Sequence, residues 1–229
     1  SDLARDLDMP PSKVHRYLAS FLNTGFVVQA GRSGKYDLGP NAVALGLSAI
    51  ARHDFVNRAA DVIPDLCVET GMTVLLSVWG SEGATVIRWE RGESPAVTSM
   101  GLGQTLPLLN SATGRAFLTW APAAATARIL DVELRRAKRR PALTPDFQPT
   151  QKGLELLTAD IRSKGYASVD GRFIPGLVAI AAPVLDWQQE AQAVISLIGT
   201  DPNAFEPDGL PVTRLVACAK SVSFADGLP

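Results

Sequence analysis

Residues 9–29, MPPSKVHRYLASFLNTGFVVQ, decide the amino-terminal fold of this chain. Just before them Ser1–Leu7 reads as a helix end, with Leu3, Ala4 and Leu7 on one face, and Asp8-Met9-Pro10 breaks it. Pro11 suits a helix start, where no amide donor is needed. From Ser12 the pattern is helical again, with Val14, Leu18, Phe21 and Leu22 as the apolar stripe. Gly25 ends that helix as a residue that tolerates positive φ. The opposite face carries Ser12, Lys13, Arg16, Ser20 and Asn23, with His15 and Tyr17 beside it. Phe26–Gln29 reads as a strand, Arg32-Ser33-Gly34 as a turn, and Lys35–Leu38 as the returning strand.

Two short helices joined by a tight turn, followed by a hairpin, describe a winged helix-turn-helix. The second helix would fill a major groove with its first residues at base edges. Ser12, Lys13, His15, Arg16 and Tyr17 are therefore candidate DNA contacts, and the wing would bring Arg32 and Lys35 near phosphates. Arg16 suits either a guanine edge or a phosphate. The bland alternative is a solvated helix followed by an ordinary hairpin, and His15 alone would pass for a surface histidine. Charge distribution favours the groove. Across the whole chain 22 Lys+Arg balance 23 Asp+Glu, yet Met9–Tyr36 holds Lys13, Arg16, Arg32 and Lys35 with no acid. A basic head on a net acidic body is the footprint of a polyanion binder.

At 229 residues and 46% apolar, the chain has room for one large or two small folded domains, and is too apolar for a disordered tail. Two cysteines make neither a disulfide scaffold nor a four-ligand metal site, and a reducing, cytoplasmic setting fits. No apolar run is long enough to cross a bilayer and no secretory leader opens the chain. Ser1 stands inside a helical pattern without a preceding Met, so residues upstream are expected.

Beyond Leu38-Gly39-Pro40, Asn41–Asp54 reads as a connecting helix that also suits subunit pairing. The body follows as helix 55–69, strands 72–79, 84–90 and 94–100, helices 111–120, 123–136 and 150–164, strands 166–169, 177–185 and 191–198, and a last helix near 207–224. That order predicts α+β with a mostly antiparallel sheet flanked by helices. The domains expected are 1–39 (DNA-binding head), 40–54 (linker helix) and 55–229 (body). Arg135–Arg140, five cations around Ala137, suits a helix end, or else an auxiliary phosphate or partner contact.

Chemistry is sparse. The histidines are His15 and His53, so the body holds no histidine-based triad. There is no phosphate loop, Gly101-Leu102-Gly103 lacks the rest of a dinucleotide fingerprint, and no metal motif occurs. Cys67 and Cys218 sit among apolar neighbours. No cofactor and no catalytic residue are assigned. A sensor fits better than an enzyme. Leu106–Arg115 runs into a helix start whose free amides, at Ala112 and Thr113, could receive a ligand carboxylate. Equally, Ser111 and Thr113 could simply cap that helix.

Taken together, these segments resemble the isocitrate-lyase-regulator (IclR) family of bacterial transcription factors over essentially the whole chain. The resemblance rests on Leu3–Gly25 with Val14-His15-Arg16, Gly34–Gly39, Leu106-Pro107-Leu108 with Ser111–Ala116, Lys164-Gly165-Tyr166 and Gly176–Pro183. It implies a winged helix-turn-helix, its first helix missing at the start, and a GAF-like effector domain. It also implies homodimers or homotetramers on double-stranded operator DNA, modulated by a small organic acid. The family's pocket maps to the amides of Ala112 and Thr113 and the side chains of Val169, Ala179, Ser196 and Ile198. In glyoxylate- and pyruvate-type members these last four are Asp, Cys, Ser and Ser. Here only Ser196 keeps the polar type, and Asp170 stands one residue from the Asp position. Val, Ala and Ile in the wall imply a more apolar effector, aromatic or branched. The alternative is a GAF-like sensor whose head mediates protein contacts.

Overall fold

The computed structural model describes residues 2–29, 34–51, 53–93, 101–170 and 176–224, with the backbone alone at 49–51, 202 and 204. The chain forms two compact units, Ser1–Asp54 and Phe55–Pro229.

In the first unit, α1 (Asp2–Asp6) and α2 (Pro11–Asn23) precede the antiparallel pair β1 (Val27–Gln29) and β2 (Tyr36–Leu38), then α3 (Pro40–Ala51). Pro11 occupies the first turn of α2. Only Val14 of the expected stripe is fully buried; Leu18 and Leu22 are half-buried, and Phe21 is exposed. On α1, Ala4 is buried while Leu3 is exposed, as is Leu7 just beyond the helix. So small a unit has too little interior to cover every apolar side chain that its periodicity offers.

Gly25 has φ +68° and closes α2. Three hydrogen bonds then join this corner to the junction of β2 and α3: Gly39 N donates to the Phe26 carbonyl (2.8 Å), Asn41 N to the Gly25 carbonyl (3.1 Å) and Asn41 Nδ2 to the Thr24 carbonyl (2.7 Å). The approach is so close that a Cβ on Gly39 would lie 2.2 Å from the Gly25 carbonyl oxygen.

The second unit contains α4 (Phe55–Thr70), β3 (Thr73–Gly80), β4 (Gly83–Glu90), β5 (Thr105–Leu106), α5 (Ala112–Trp120), α6 (Ala123–Arg139), α7 (Gln151–Lys164), β6 (Ala167–Asp170), β7 (Val178–Leu185), β8 (Ala191–Gly199) and α8 (Leu210–Val222). Short 3-10 turns lie at Pro141–Leu143 and Pro202–Phe205. The sheet order is β5-β4-β3-β8-β7-β6, and every neighbouring pair is antiparallel. The expected strand 94–100 lies outside the described residues. The two-residue β5 is too short to show a periodicity.

Each central strand is buried on both faces, so neighbouring residues serve opposite cores. Val74, Leu76, Ile180, Ala182, Ile195 and Leu197 pack with Ile63 and Leu66 of α4 and Leu215 and Ala219 of α8. Leu75, Ala181, Val194 and Ile198 pack with Ala112, Ala116 and Phe117 of α5 and Ile161 of α7. The floor of a site under α5 is therefore set by strand parity. Cys67 is buried in the first core, and Cys218 packs half-buried against it.

Candidate functional site

Two constellations follow from this frame, one in each unit. On α2, Ser12, Lys13, His15, Arg16 and Tyr17 are all exposed, and Lys35 is exposed ahead of β2. Ser12, Lys13 and Arg16, at i, i+1 and i+4, share one arc of the helix on the side away from buried Val14, with Tyr17 at its edge. Neither the first nor the last turn of α2 carries an acid. A long exposed cationic arc of this kind is what a groove lined with phosphates attracts. Arg32 lies outside the described residues.

In the second unit, a cavity of about 40 Å³ opens between the start of α5 and the sheet. Its floor is a row of residues in register across three strands: Val169 opposite Ala179, and Ala179 opposite Ile198. Beside the row stands Ser196, opposite Leu75 of β3. Ala112 and Thr113 form the roof. The helix start is organised by Ser111, whose Oγ accepts from Gly114 N (2.9 Å) and donates to the Pro107 carbonyl (2.6 Å). Ser111 therefore satisfies the third amide of α5 and, among the described residues, leaves those of Ala112 and Thr113 without an acceptor. Two adjacent free amides at a helix start make a receptor for an anionic oxygen. Thr113 Oγ1 is not a cap; it lies 2.8 Å from Ser196 Oγ, both buried.

Six of the residues expected here, Ala112, Thr113, Val169, Ala179, Ser196 and Ile198, thus surround one cavity. Asp170 does not join them. Strand parity turns it to the opposite face of β6, exposed, where it lines an adjoining depression with Asp146 and Phe205 that shares Val169 and Ala179 with the cavity. Leu75, Leu106, Ser111 and Leu177 also line the cavity. Leu106 and Ser111 belong to the segment the sequence already marked as leading into the helix start, whereas Leu75 and Leu177 are brought in by strand register, which local sequence does not show.

The roof is held from behind by buried charges. Arg115, 2% exposed, donates from Nε to the Leu109 carbonyl (2.7 Å) and forks onto Asp146, Nη1 to Oδ2 at 2.6 Å and Nη2 to Oδ1 at 3.0 Å. Its Nη1 also reaches the Ser168 carbonyl of β6 at 3.3 Å. Glu133 of α6 accepts from the amides of Leu108 and Leu109, each at 2.8 Å. Burial pushes the Glu133 carboxyl above its ordinary range, against the opposing pull of those two amides and of Arg136. Gly114 lets α5 pass over the preceding segment: a Cβ there would lie 2.0 Å from the Pro107 carbonyl oxygen.

Known proteins resemble this chain in sequence and fold. The family model for the bacterial transcriptional regulator IclR C-terminal domain matches residues 47–224, and that for the IclR helix-turn-helix domain matches residues 1–31. The chain belongs to the IclR family. It is 30% identical over 202 residues to the HTH-type transcriptional regulator BhcR of Paracoccus denitrificans, covering 87% of this chain and 70% of that one. The glycerol operon regulatory protein of Streptomyces griseus is 28% identical over 227 residues, 97% of this chain and 86% of its own length. The crystal structure of Pseudomonas aeruginosa HmgR superimposes with a TM-score of 0.82 at 32% identity, covering 97% of this chain and 87% of that one. IclR-family regulators bind operator DNA through the helix-turn-helix and are generally oligomeric. The chain is thus a DNA-binding transcriptional regulator with a C-terminal effector domain, and not an enzyme. No helix among the described residues is long and apolar enough to cross a membrane.

Proposed function

We propose that this IclR-family regulator reads operator DNA with the exposed arc of α2 and is switched by a small organic acid more apolar than glyoxylate. Ser12, Lys13, His15, Arg16 and Tyr17 make the groove contacts; Lys35 and Arg32 reach phosphates from the wing. Segment 40–54 joins head to effector domain and pairs subunits, as homodimer or homotetramer, in the cytoplasm. The effector's carboxylate lies on the amides of Ala112 and Thr113, with Ser196 beside it.

The observation that carries this reading is the composition of the cavity floor. Val169, Ala179 and Ile198 present no hydrogen-bonding atom in register, while the roof offers two free amides. A ligand that matches both has a charged head and an apolar body. At about 40 Å³ the cavity is tight, so a branched or aromatic body enters as the half-buried Leu177 side chain gives way. Asp170 lines the adjoining depression rather than this cavity.

Thermal-shift titration with glyoxylate, pyruvate, a branched 2-oxo acid and phenylacetate tests the effector. Stabilisation is expected to grow with the apolar body, and stabilisation by the glyoxylate-sized acids alone overturns the reading. For the head, Arg16→Ala is expected to weaken operator binding at least tenfold and leave acid binding unchanged. Equal loss of both contradicts two separate modules. Operator affinity should also fall steeply with salt, and the slope should drop by about one for each phosphate-contacting cation removed.

A further inference from the structure

Behind the roof of the effector cavity lies a second, larger one of about 440 Å³, between α6, the Thr105–Asn110 segment and the turn that follows α6. It shares Leu106 with the effector cavity and no other lining residue. Of the side chains on its wall, Thr144 and Asn110 have no hydrogen-bond partner among the described residues, and Arg136 stands near the Glu133 carboxylate as its charge partner. Thr144 is 3% exposed and its buried Oγ1 is unmatched. The carboxamide of Asn110 and the guanidinium of Arg136 stand beside it. A buried hydroxyl without a partner is disfavoured in a folded protein, and a partner arriving from solvent restores the lost hydrogen bond.

We propose that this cavity is a second ligand site, built for a small hydroxylated monocarboxylate. Arg136 is the cation on the wall and offers a planar fork to one carboxylate. Thr144 and Asn110 match hydroxyl groups, which can both donate and accept. Glu133 and Glu82, also on the wall, accept from further hydroxyls and repel a second carboxylate. A neutral polyol offers Arg136 no carboxylate to fork onto, and a dicarboxylate meets the like charge of Glu133 and Glu82.

The Glu133 carboxylate that faces this cavity also holds the amides of Leu108 and Leu109, which lead directly into the start of α5. The existence of the second site does not depend on the identity of the effector.

Calorimetric titration and thermal shift of the full chain with D-gluconate as the probe test the site, with sorbitol and D-glucarate as the neutral and doubly charged controls. Gluconate is expected to bind once per chain and to outbind both controls at least tenfold. Arg136→Gln and Thr144→Val are each expected to weaken gluconate at least tenfold, while Ser196→Ala in the effector cavity leaves gluconate affinity within twofold. Without ligand, Thr144→Val should melt no lower than the parent, because it removes an unmatched hydroxyl; this separates lost binding from lost folding. The proposal is overturned by absence of gluconate binding at 10 mM, by sorbitol or glucarate binding equally well, or by gluconate affinity that survives Arg136→Gln and Thr144→Val. Loss in Ser196→Ala with retention in Thr144→Val would place gluconate in the effector cavity and overturn it too.

Discussion

Thr113 Oγ1 and Ser196 Oγ lie 2.8 Å apart, the one on the first turn of α5 and the other on β8 beneath it. Both are buried, and their bond closes the cavity at the point where helix meets sheet. The pair is polar on an otherwise apolar floor, so it fixes both the spacing of roof to floor and the place where a polar ligand atom can sit.

A double-mutant cycle on this pair should be strongly non-additive. Ser196→Ala leaves the Thr113 hydroxyl buried and unmatched, at a cost of about 1–3 kcal/mol. Thr113→Val should cost a similar amount. The double variant should regain much of the loss, since neither hydroxyl is then orphaned. Urea unfolding of the four proteins gives the coupling, and additive losses would show that the two oxygens do not bond.

Arg115→Ala should be among the most damaging single changes, at about 3–5 kcal/mol, because it leaves Asp146 facing an emptied, buried site. The same change frees the Leu109 carbonyl and the link to β6, so acid binding should fall along with stability. Arg115→Lys should recover little, as an ammonium cannot form the fork onto both carboxylate oxygens. Chemical denaturation beside acid titration checks this; a midpoint within error of the parent contradicts it.

Gly39→Ala and Gly114→Ala should separate the two units. In each, the new methyl group would stand about 2 Å from a backbone carbonyl oxygen, Gly25 in the first case and Pro107 in the second. Gly39→Ala is expected to abolish operator binding and spare acid binding. Gly114→Ala is expected to abolish acid binding and lower the melting temperature of the effector unit. Mobility shift and acid titration on the same preparations read both outcomes.

Burial pushes the Cys218 thiol up to about 11, with Glu69 and Asp65 adding to the rise, and burial followed by Glu90 raises Cys67. Since the thiolate is the reactive form, neither cysteine should alkylate readily in the folded protein at pH 8. An unfolded thiol titrates near 8.5, so the Cys218 contribution to stability is complete below that pH and is lost as pH rises towards about 11. Iodoacetamide labelling should therefore follow unfolding by urea at pH 8, and should appear in the folded state only at strongly alkaline pH. Rapid labelling of the native protein at pH 8 would refute the burial argument.

Periodicity and punctuation within the sequence determined the elements themselves. The helical stripe of 14–22, the Gly25 stop, the alternating strands and the acid-free stretch 9–36 are all local, and local geometry is enough to set which face of an element is polar. The tertiary structure alone decided what meets across distance. Leu108 and Leu109 find Glu133 from 25 and 24 residues away, Arg115 finds Asp146 across 31, and Thr113 finds Ser196 across 83. Strand register, not residue type, turns Asp170 away from the cavity and brings Leu75 into it. Such pairings depend on how the sheet is ordered and on which parity each strand shows to α5, and neither is written in any single segment of the chain.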